Sequence, residues 1–121
     1  MKFQQPIVDV FRVNVDGDNN FFLHVTTPFN DPRYYASGSQ VVSDISNTNT
    51  LNVTLKVNLN SSFPERNRIN YVTHRVDLGQ YSFTNGEGYI TVTLIDESND
   101  PATNNLGSAQ VSTASVDDDA R

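Results

Sequence analysis

The side chains best suited to recognition lie in two segments without hydrophobic periodicity, at 28–40 and 60–70. These segments gather aromatic residues and half of the chain's six arginines. Both residue types are enriched at the centres of protein contacts. We therefore expect two long exposed loops that bind a protein partner through Phe29, Arg33, Tyr34, Tyr35, Phe63, Arg66 and Arg68. An equally good interpretation is that the aromatics fold back onto the core and the arginines form local salt bridges.

Acidic side chains could hold a cation near the chain end. Glu87, in a turn before a predicted strand, and Asp117, Asp118 and Asp119 could offer the carboxylate oxygens that Ca²⁺ prefers. Four carboxylates are few for an ion that takes about six to eight oxygen ligands, so we favour a frayed, solvated acidic tail over 117–121.

Residues for catalysis are scarce. The chain has no cysteine, and His24 and His74 each lie in a predicted strand without the spacing of a metal site or a nucleophile and its base. The sequence contains no Gly-x-Ser-x-Gly elbow, no phosphate-binding glycine loop and no His-Glu-x-x-His motif. We expect a protein that is not an enzyme and that has no cofactor.

A set of β-strands must position these side chains. Over Thr50–Leu59, apolar and polar residues alternate strictly, which is typical of a strand with one buried face. The same alternation over 7–15 and 21–25, joined by the turn-forming Asp16–Asn20, predicts a hairpin; the EF-hand spacing is not met there. Further strands are expected at 41–45 (an edge strand), within 71–83, at 89–95 and at 108–116.

The change of alternation at Gly79 predicts a bulge or a bend. Six to eight strands without helical periodicity predict one all-β domain over residues 1–121. The expected fold is a single antiparallel Greek-key β-sandwich of the immunoglobulin-like kind, with a small barrel as the other possibility. The hydrophobic fraction is only 36%, but the apolar residues cluster in alternating runs, so we expect a thin core and not disorder.

Three segments of the C-terminal third form a series of strand, loop, strand and acidic end: Gly86–Leu94, Leu106–Val111 and Asp117–Asp119. This series resembles the last two strands of a Calx-β module. The resemblance implies a sandwich that binds Ca²⁺ at one end through acidic loop residues. Here those would be Glu87 and the three aspartates of the chain end. A calcium-binding adhesion module is therefore the alternative functional hypothesis.

Charge and surface composition bear on the partners. The net charge of −6 opposes binding to nucleic acid or to anionic membranes. No apolar run resembles a secretory signal or a membrane span, so folding in the cytosol is expected. The polar faces are rich in Asn, Ser and Thr, and the edge strands lack lysine, which favours a subunit of an assembly and a homo-oligomer. The leading hypothesis is a structural or binding subunit of a virion: a capsid decoration or cement protein, or part of a tail or fibre.

Overall fold

The computed structural model describes residues 7–15, 18–64, 66, 68–84, 87–102, 104–113 and 117–119. Within these residues the fold is all-β, with eight strands and one four-residue helix. The elements are β1 (Ile7–Val15), β2 (Asp18–Phe29), β3 (Tyr34–Asp44), α1 (Ile45–Thr48), β4 (Thr50–Leu59), β5 (Asn70–Gly79), β6 (Tyr89–Asp96), β7 (Asn105–Ser112) and β8 (Asp117–Asp119). In this described part of the chain, no helix has the length and apolar character needed to cross a bilayer.

The strands form two sheets that share one core. Sheet A has the order β5-β2-β1-β8, and sheet B has the order β3-β4-β6-β7. Apolar side chains from β2 and β5 join those from β4 and β6 in a single buried cluster. Because each sheet has one apolar face, the two faces exclude water by packing together. The all-β class with two layers is thus as the sequence predicts.

The strand β4 forms the centre of sheet B and has the predicted bounds. Its inward-facing side chains are at most 1% exposed: Leu51, Val53, Leu55 and Val57. The alternate residues from Asn52 to Asn58 are exposed or half-buried, whereas Thr50 at the start of the strand is buried and Leu59 at its end is half-buried. Full burial of each such aliphatic side chain contributes about 1.5–3 kcal/mol to stability relative to exposure. This gain explains why the apolar face of β4 lies in the core.

Two strand pairs are parallel, so the expectation of a purely antiparallel architecture is wrong. β4 runs parallel to β6, and β1 runs parallel to β8. A parallel pair requires a crossover connection, and between β4 and β6 the chain passes through β5 in the opposite sheet. The alternation of side chains reports which face is buried and carries no information on strand direction.

The prediction of a long exposed loop over 28–40 is also wrong. β2 continues to Phe29 and β3 begins at Tyr34, which leaves a loop of residues 30–33. Pro28 lies within β2 opposite Tyr71 of β5, and the described pairing of β2 with β1 starts only at Thr26. A proline is tolerated where one side of its strand needs no N–H donor. The predicted edge strand therefore starts at Tyr34, not at residue 41, and it ends at Asp44.

The strand β1 has a neighbour on each side. Its antiparallel pairing with β2 places Val15 opposite Asp18, which confirms the predicted hairpin; residues 16–17 lie outside the described part. On the other side it pairs with β8. The expected frayed tail is therefore wrong for Asp117–Asp119, because main-chain pairing orders a segment whose charges alone would oppose order. Residues 120–121 lie outside the described part.

The predicted bulge is present at the end of β5. The register between β2 and β5 shifts between Phe21 and Phe22, so that Leu78 has no residue opposite it. Gly79 follows with a φ of 89°, a conformation that glycine adopts without the steric cost paid by other residues. Of the one or two strands predicted within 71–83, the structure has one, β5, and no strand continues over residues 81–83.

Candidate binding site

Three loops meet at one end of the molecule. They follow β2, β4 and β6, and their described residues are 30–33, 60–64, 66, 68, 69, 97–102 and 104. The backbone N–H of Asn60 donates a hydrogen bond of 3.0 Å to the carbonyl oxygen of Arg33. The N–H of Glu97 donates one of 2.8 Å to the carbonyl oxygen of Val57. The ends of sheet B therefore hold the three loops side by side, and we call this region the loop end.

A groove of about 300 Å³ opens between the first two of these loops. Its lining consists of Pro32, Arg33, Phe63, Pro64, Arg66 and Arg68. We call it the arginine groove. The ring of Phe63 is 60% exposed, and the side chains of Arg66 and Arg68 are exposed. Four of the seven contact residues predicted from the sequence thus line one concave surface.

Arg33 is held in place by the carboxylate of Asp31. Its guanidinium donates two near-parallel hydrogen bonds, from Nη2 to Oδ2 at 2.7 Å and from Nε to Oδ1 at 3.0 Å. The backbone N–H of Arg33 also donates to Oδ1, at 3.1 Å. The guanidinium of Arg33 holds the pKa of Asp31 below its usual value. This fork-like pairing fixes one wall of the arginine groove.

The other three predicted contact residues lie outside the arginine groove. Phe29 and Tyr34 are buried, and their rings stack with centroids 4.7 Å apart. Both belong to strands, so their expected exposure on a loop is wrong and the alternative, folding back onto the core, describes them. Tyr35 is 48% exposed on β3, opposite Asn58. Successive strand residues point to opposite faces, which separates Tyr34 from Tyr35.

Asp96 is a buried carboxylate at the loop end, one residue beyond the strand predicted at 89–95. It is fully buried, and its Oδ2 accepts a hydrogen bond of 2.9 Å from the hydroxyl of Tyr34. The backbone N–H of Ser98 donates to Oδ1 at 3.0 Å, and the side-chain amide of Asn99 donates to Oδ2 at 3.2 Å. Burial, together with the carboxylate of Asp96, raises the pKa of Tyr34 to about 12.

These hydrogen bonds give Asp96 a structural role, because a buried carboxylate is tolerated only when donors surround it. They tie the loop after β6 to the first residue of β3. A signal in the sequence could have found this residue: Asp96 continues the alternation of the buried Ile90, Val92 and Leu94. A carboxylate at such a core position predicts a set of hydrogen-bond donors around it.

The acidic residues considered for calcium belong to different elements of the fold. Glu87 is exposed in the loop before β6 of sheet B, whereas Asp117–Asp119 form the edge strand β8 of sheet A. Glu87 lines a separate, polar pocket of about 310 Å³ with Asn49, Thr84, Gly88, Tyr89 and Ser112. Among the residues described, no three histidine, aspartate or glutamate side chains form a group suited to a metal ion.

The two histidines lie on strands of sheet A, but on opposite faces. His74 of β5 is buried and lies opposite the buried Val25, whereas His24 is the neighbour of Val25 in β2 and points to the other face. The Nε2 atom of His74 lies 2.8 Å from the carbonyl oxygen of Lys56, to which it must donate. Burial lowers the pKa of His74.

The arginine groove is suited to binding. Its lining offers guanidinium donors, an exposed aromatic ring and two rigid prolines, and none of these groups acts as a nucleophile or a general base at neutral pH. Cations beside an aromatic face recognise acidic or polar protein surfaces. Comparisons of the chain with protein-family models, with curated proteins and with solved structures found no match.

Proposed function

We propose that this chain is a non-catalytic binding subunit of a multi-subunit assembly, and that the arginine groove contacts a neighbouring protein subunit. The observation that carries the proposal is the convergence of Arg33, Phe63, Arg66 and Arg68 on one concave surface. An exposed phenylalanine beside several guanidinium groups combines the residue types that dominate contact energies. A partner that covers Phe63 removes an apolar ring from water.

The assembly that we propose first is a virion, in which the chain serves as a capsid decoration or cement protein, or as part of a tail or fibre. The support is the composition of the outer faces, which carry Asn, Ser and Thr in place of the Lys and Glu that keep a monomer soluble.

We also propose that the two sheets form a Greek-key sandwich of the immunoglobulin-like kind. The chain crosses from one sheet to the other after β2, β4, β5 and β7, as Greek-key connections require. The parallel pairing of β4 with β6 departs from the fully antiparallel sheets of that class.

The test is to measure the size of the particle in which the chain occurs in its native source. We expect the chain at fixed stoichiometry in a large particle. The double variant Arg66→Glu, Arg68→Glu should be incorporated about tenfold less, because the charge of the groove is reversed. Arg75→Glu is the matched control, since Arg75 is exposed on β5, outside the lining of the groove. A monomer that joins no particle, or equal incorporation of the double variant, would contradict the proposal.

A further inference from the structure

The outer edge of β3 is a long strand edge that has no neighbouring strand in its sheet among the residues that the structure describes. β3 stands at the end of the strand order and pairs only with β4 within the described residues. It has eleven residues, of which Tyr34 alone is buried. An edge strand presents a row of backbone N–H and C=O groups that a further strand can pair with. Val42, 50% exposed, adds apolar surface beside this edge.

The other sheet edges carry features that discourage strand addition. β8 consists of three aspartates, and β5 carries Arg75 and Asp77. β7 has eight residues, and it is distorted by Gly107, at a φ of 135°, and by a shift of its register against β6. Charges and irregularities of this kind are the means by which proteins protect their edges.

β3 lacks this protection over most of its length. Its register against β4 shifts between Ala36 and Gly38, and from Gly38 to Asp44 the pairing is regular. These seven residues, Gly-Ser-Gln-Val-Val-Ser-Asp, include one charged side chain, at the very end, and contain no proline or lysine.

We propose that β3 pairs antiparallel with β3 of a second copy of this chain, across a two-fold axis at Val41. In this register Gln40 lies opposite Val42 and Asp44 lies opposite Gly38, so no aspartate faces another. Two copies that each carry a net charge of −6 repel one another. A stable contact between them therefore requires a segment without charge at its centre, and residues 38–43 provide one.

The pairing joins the two copies of sheet B into one continuous eight-stranded sheet, with main-chain hydrogen bonds supplying the contact. The inference rests on the proposed function in one respect: it names a second copy of this chain as one partner within the assembly. It does not involve the arginine groove, which lies at the loop end and stays open in the dimer to another subunit.

The experiment is sedimentation velocity on the whole chain over a wide range of concentration. We expect a monomer–dimer equilibrium that Val42→Lys weakens by about tenfold or more, because a lysine on each copy then lies beside the two-fold axis. Tyr89→Lys is the matched control: Tyr89 is a similarly exposed apolar residue (47%), but it lies on the inner strand β6. It should leave the dissociation constant unchanged, and thermal melts should show that both variants fold.

Three outcomes overturn the inference: a chain that is monomeric at every concentration, a Val42→Lys variant that dimerises like the unmodified chain, or open-ended growth beyond the dimer. The last would indicate head-to-tail contacts. The double variant Arg66→Glu, Arg68→Glu should still dimerise. A dimer that Val42→Lys dissociates, in a chain found in no particle, would support this inference while contradicting the proposed function.

Discussion

At the scale of single residues, Asp96 and His74 show how polar groups are accommodated inside a thin core. Asp96 lies at an inward position of β6, and hydroxyl and amide donors from Tyr34, Ser98 and Asn99 surround its carboxylate. His74 lies at an inward position of β5 with one hydrogen bond, to the carbonyl oxygen of Lys56. Its Nδ1 atom has no hydrogen-bond partner within the described residues. The carboxylate has hydrogen-bond donors at both oxygens, whereas burial lowers the pKa of His74 and so favours its neutral form.

This difference predicts that the stability depends on pH through His74. Burial holds the pKa of His74 below the ordinary value of 6.5. At a pH between the two pKa values, His74 is therefore protonated in the unfolded chain and neutral in the folded chain. The contribution of His74 to the free energy of unfolding is complete above pH 6.5. It falls as the pH drops below 6.5 towards the lower pKa of the folded state. By about pH 5 the loss is at most about 2 kcal/mol. Urea unfolding at both ends of this range measures it.

The control for this prediction is a pair of glutamine variants. His74→Gln cannot titrate and can still donate to the carbonyl oxygen of Lys56, so the dependence between about pH 7 and pH 5 should shrink. His24→Gln should retain it. Asp31 does not interfere, because its pKa is lowered from 3.8 and it titrates below this range. A dependence that is unchanged in His74→Gln would contradict the prediction.

At the scale of elements, one asparagine connects the start of β4 to the loop before β6. Asn49 ends α1 with a φ of 56°, in the left-handed region that asparagine tolerates. Its Oδ1 accepts a hydrogen bond of 2.7 Å from the N–H of Thr84, and its carbonyl oxygen accepts one of 3.1 Å from the N–H of Tyr89. These contacts bring the first residues of β4 and β6 side by side, which sets the register of the parallel pair.

Gly88 lies inside this junction and predicts a sharp sensitivity to substitution. A Cβ atom at Gly88 would overlap the ring of Phe83 and lie 2.5 Å from the carbonyl oxygen of Asn49. We expect Gly88→Ala to lower the free energy of unfolding by about 1–3 kcal/mol, because backbone and core must shift to admit the methyl group. Chemical denaturation measures the loss.

Gly38→Ala is the matched control for this substitution. The nearest atom to a Cβ at Gly38 is Cδ of Lys56, at 3.9 Å, which is ordinary contact. Its stability should equal or slightly exceed that of the unmodified chain, since alanine restricts the unfolded state. Equal denaturation midpoints for the two alanine variants would contradict the prediction, because the junction around Gly88 would then accommodate the methyl group without loss of stability.

At the scale of the whole molecule, the acids on which a calcium site was suspected belong to different elements of the two sheets. Glu87 belongs to the end of sheet B, and Asp117–Asp119 belong to the edge of sheet A. We expect the melting temperature to be the same with millimolar calcium and with a chelator, because only a ligand bound by the native state raises it. Magnesium serves as the control. A rise that calcium causes and magnesium does not would favour the Calx-β-like module.

The sequence by itself determined the strands that have one buried face. Thr50–Leu59 and most of Tyr89–Asp96 could be predicted because water and core impose the alternation on adjacent side chains. It also predicted four residues that line the arginine groove, Arg33, Phe63, Arg66 and Arg68, as exposed contact residues. Only the last part of β3 was predicted, as an edge strand at 41–45. The rest could not be predicted, because nearly all its side chains are at least partly exposed and no alternation arises; its pairing with β4 is what makes it a strand.

Only the tertiary structure decided strand direction and the arginine groove. The side chains of a strand are patterned in the same way whether its neighbour is parallel or antiparallel, so the pairing of β4 with β6 left no trace in the sequence. Arg33 is more than thirty residues from Arg66 and Arg68 along the chain. They converge because Tyr34 pairs with Leu59, which places the loop before β3 beside the loop after β4.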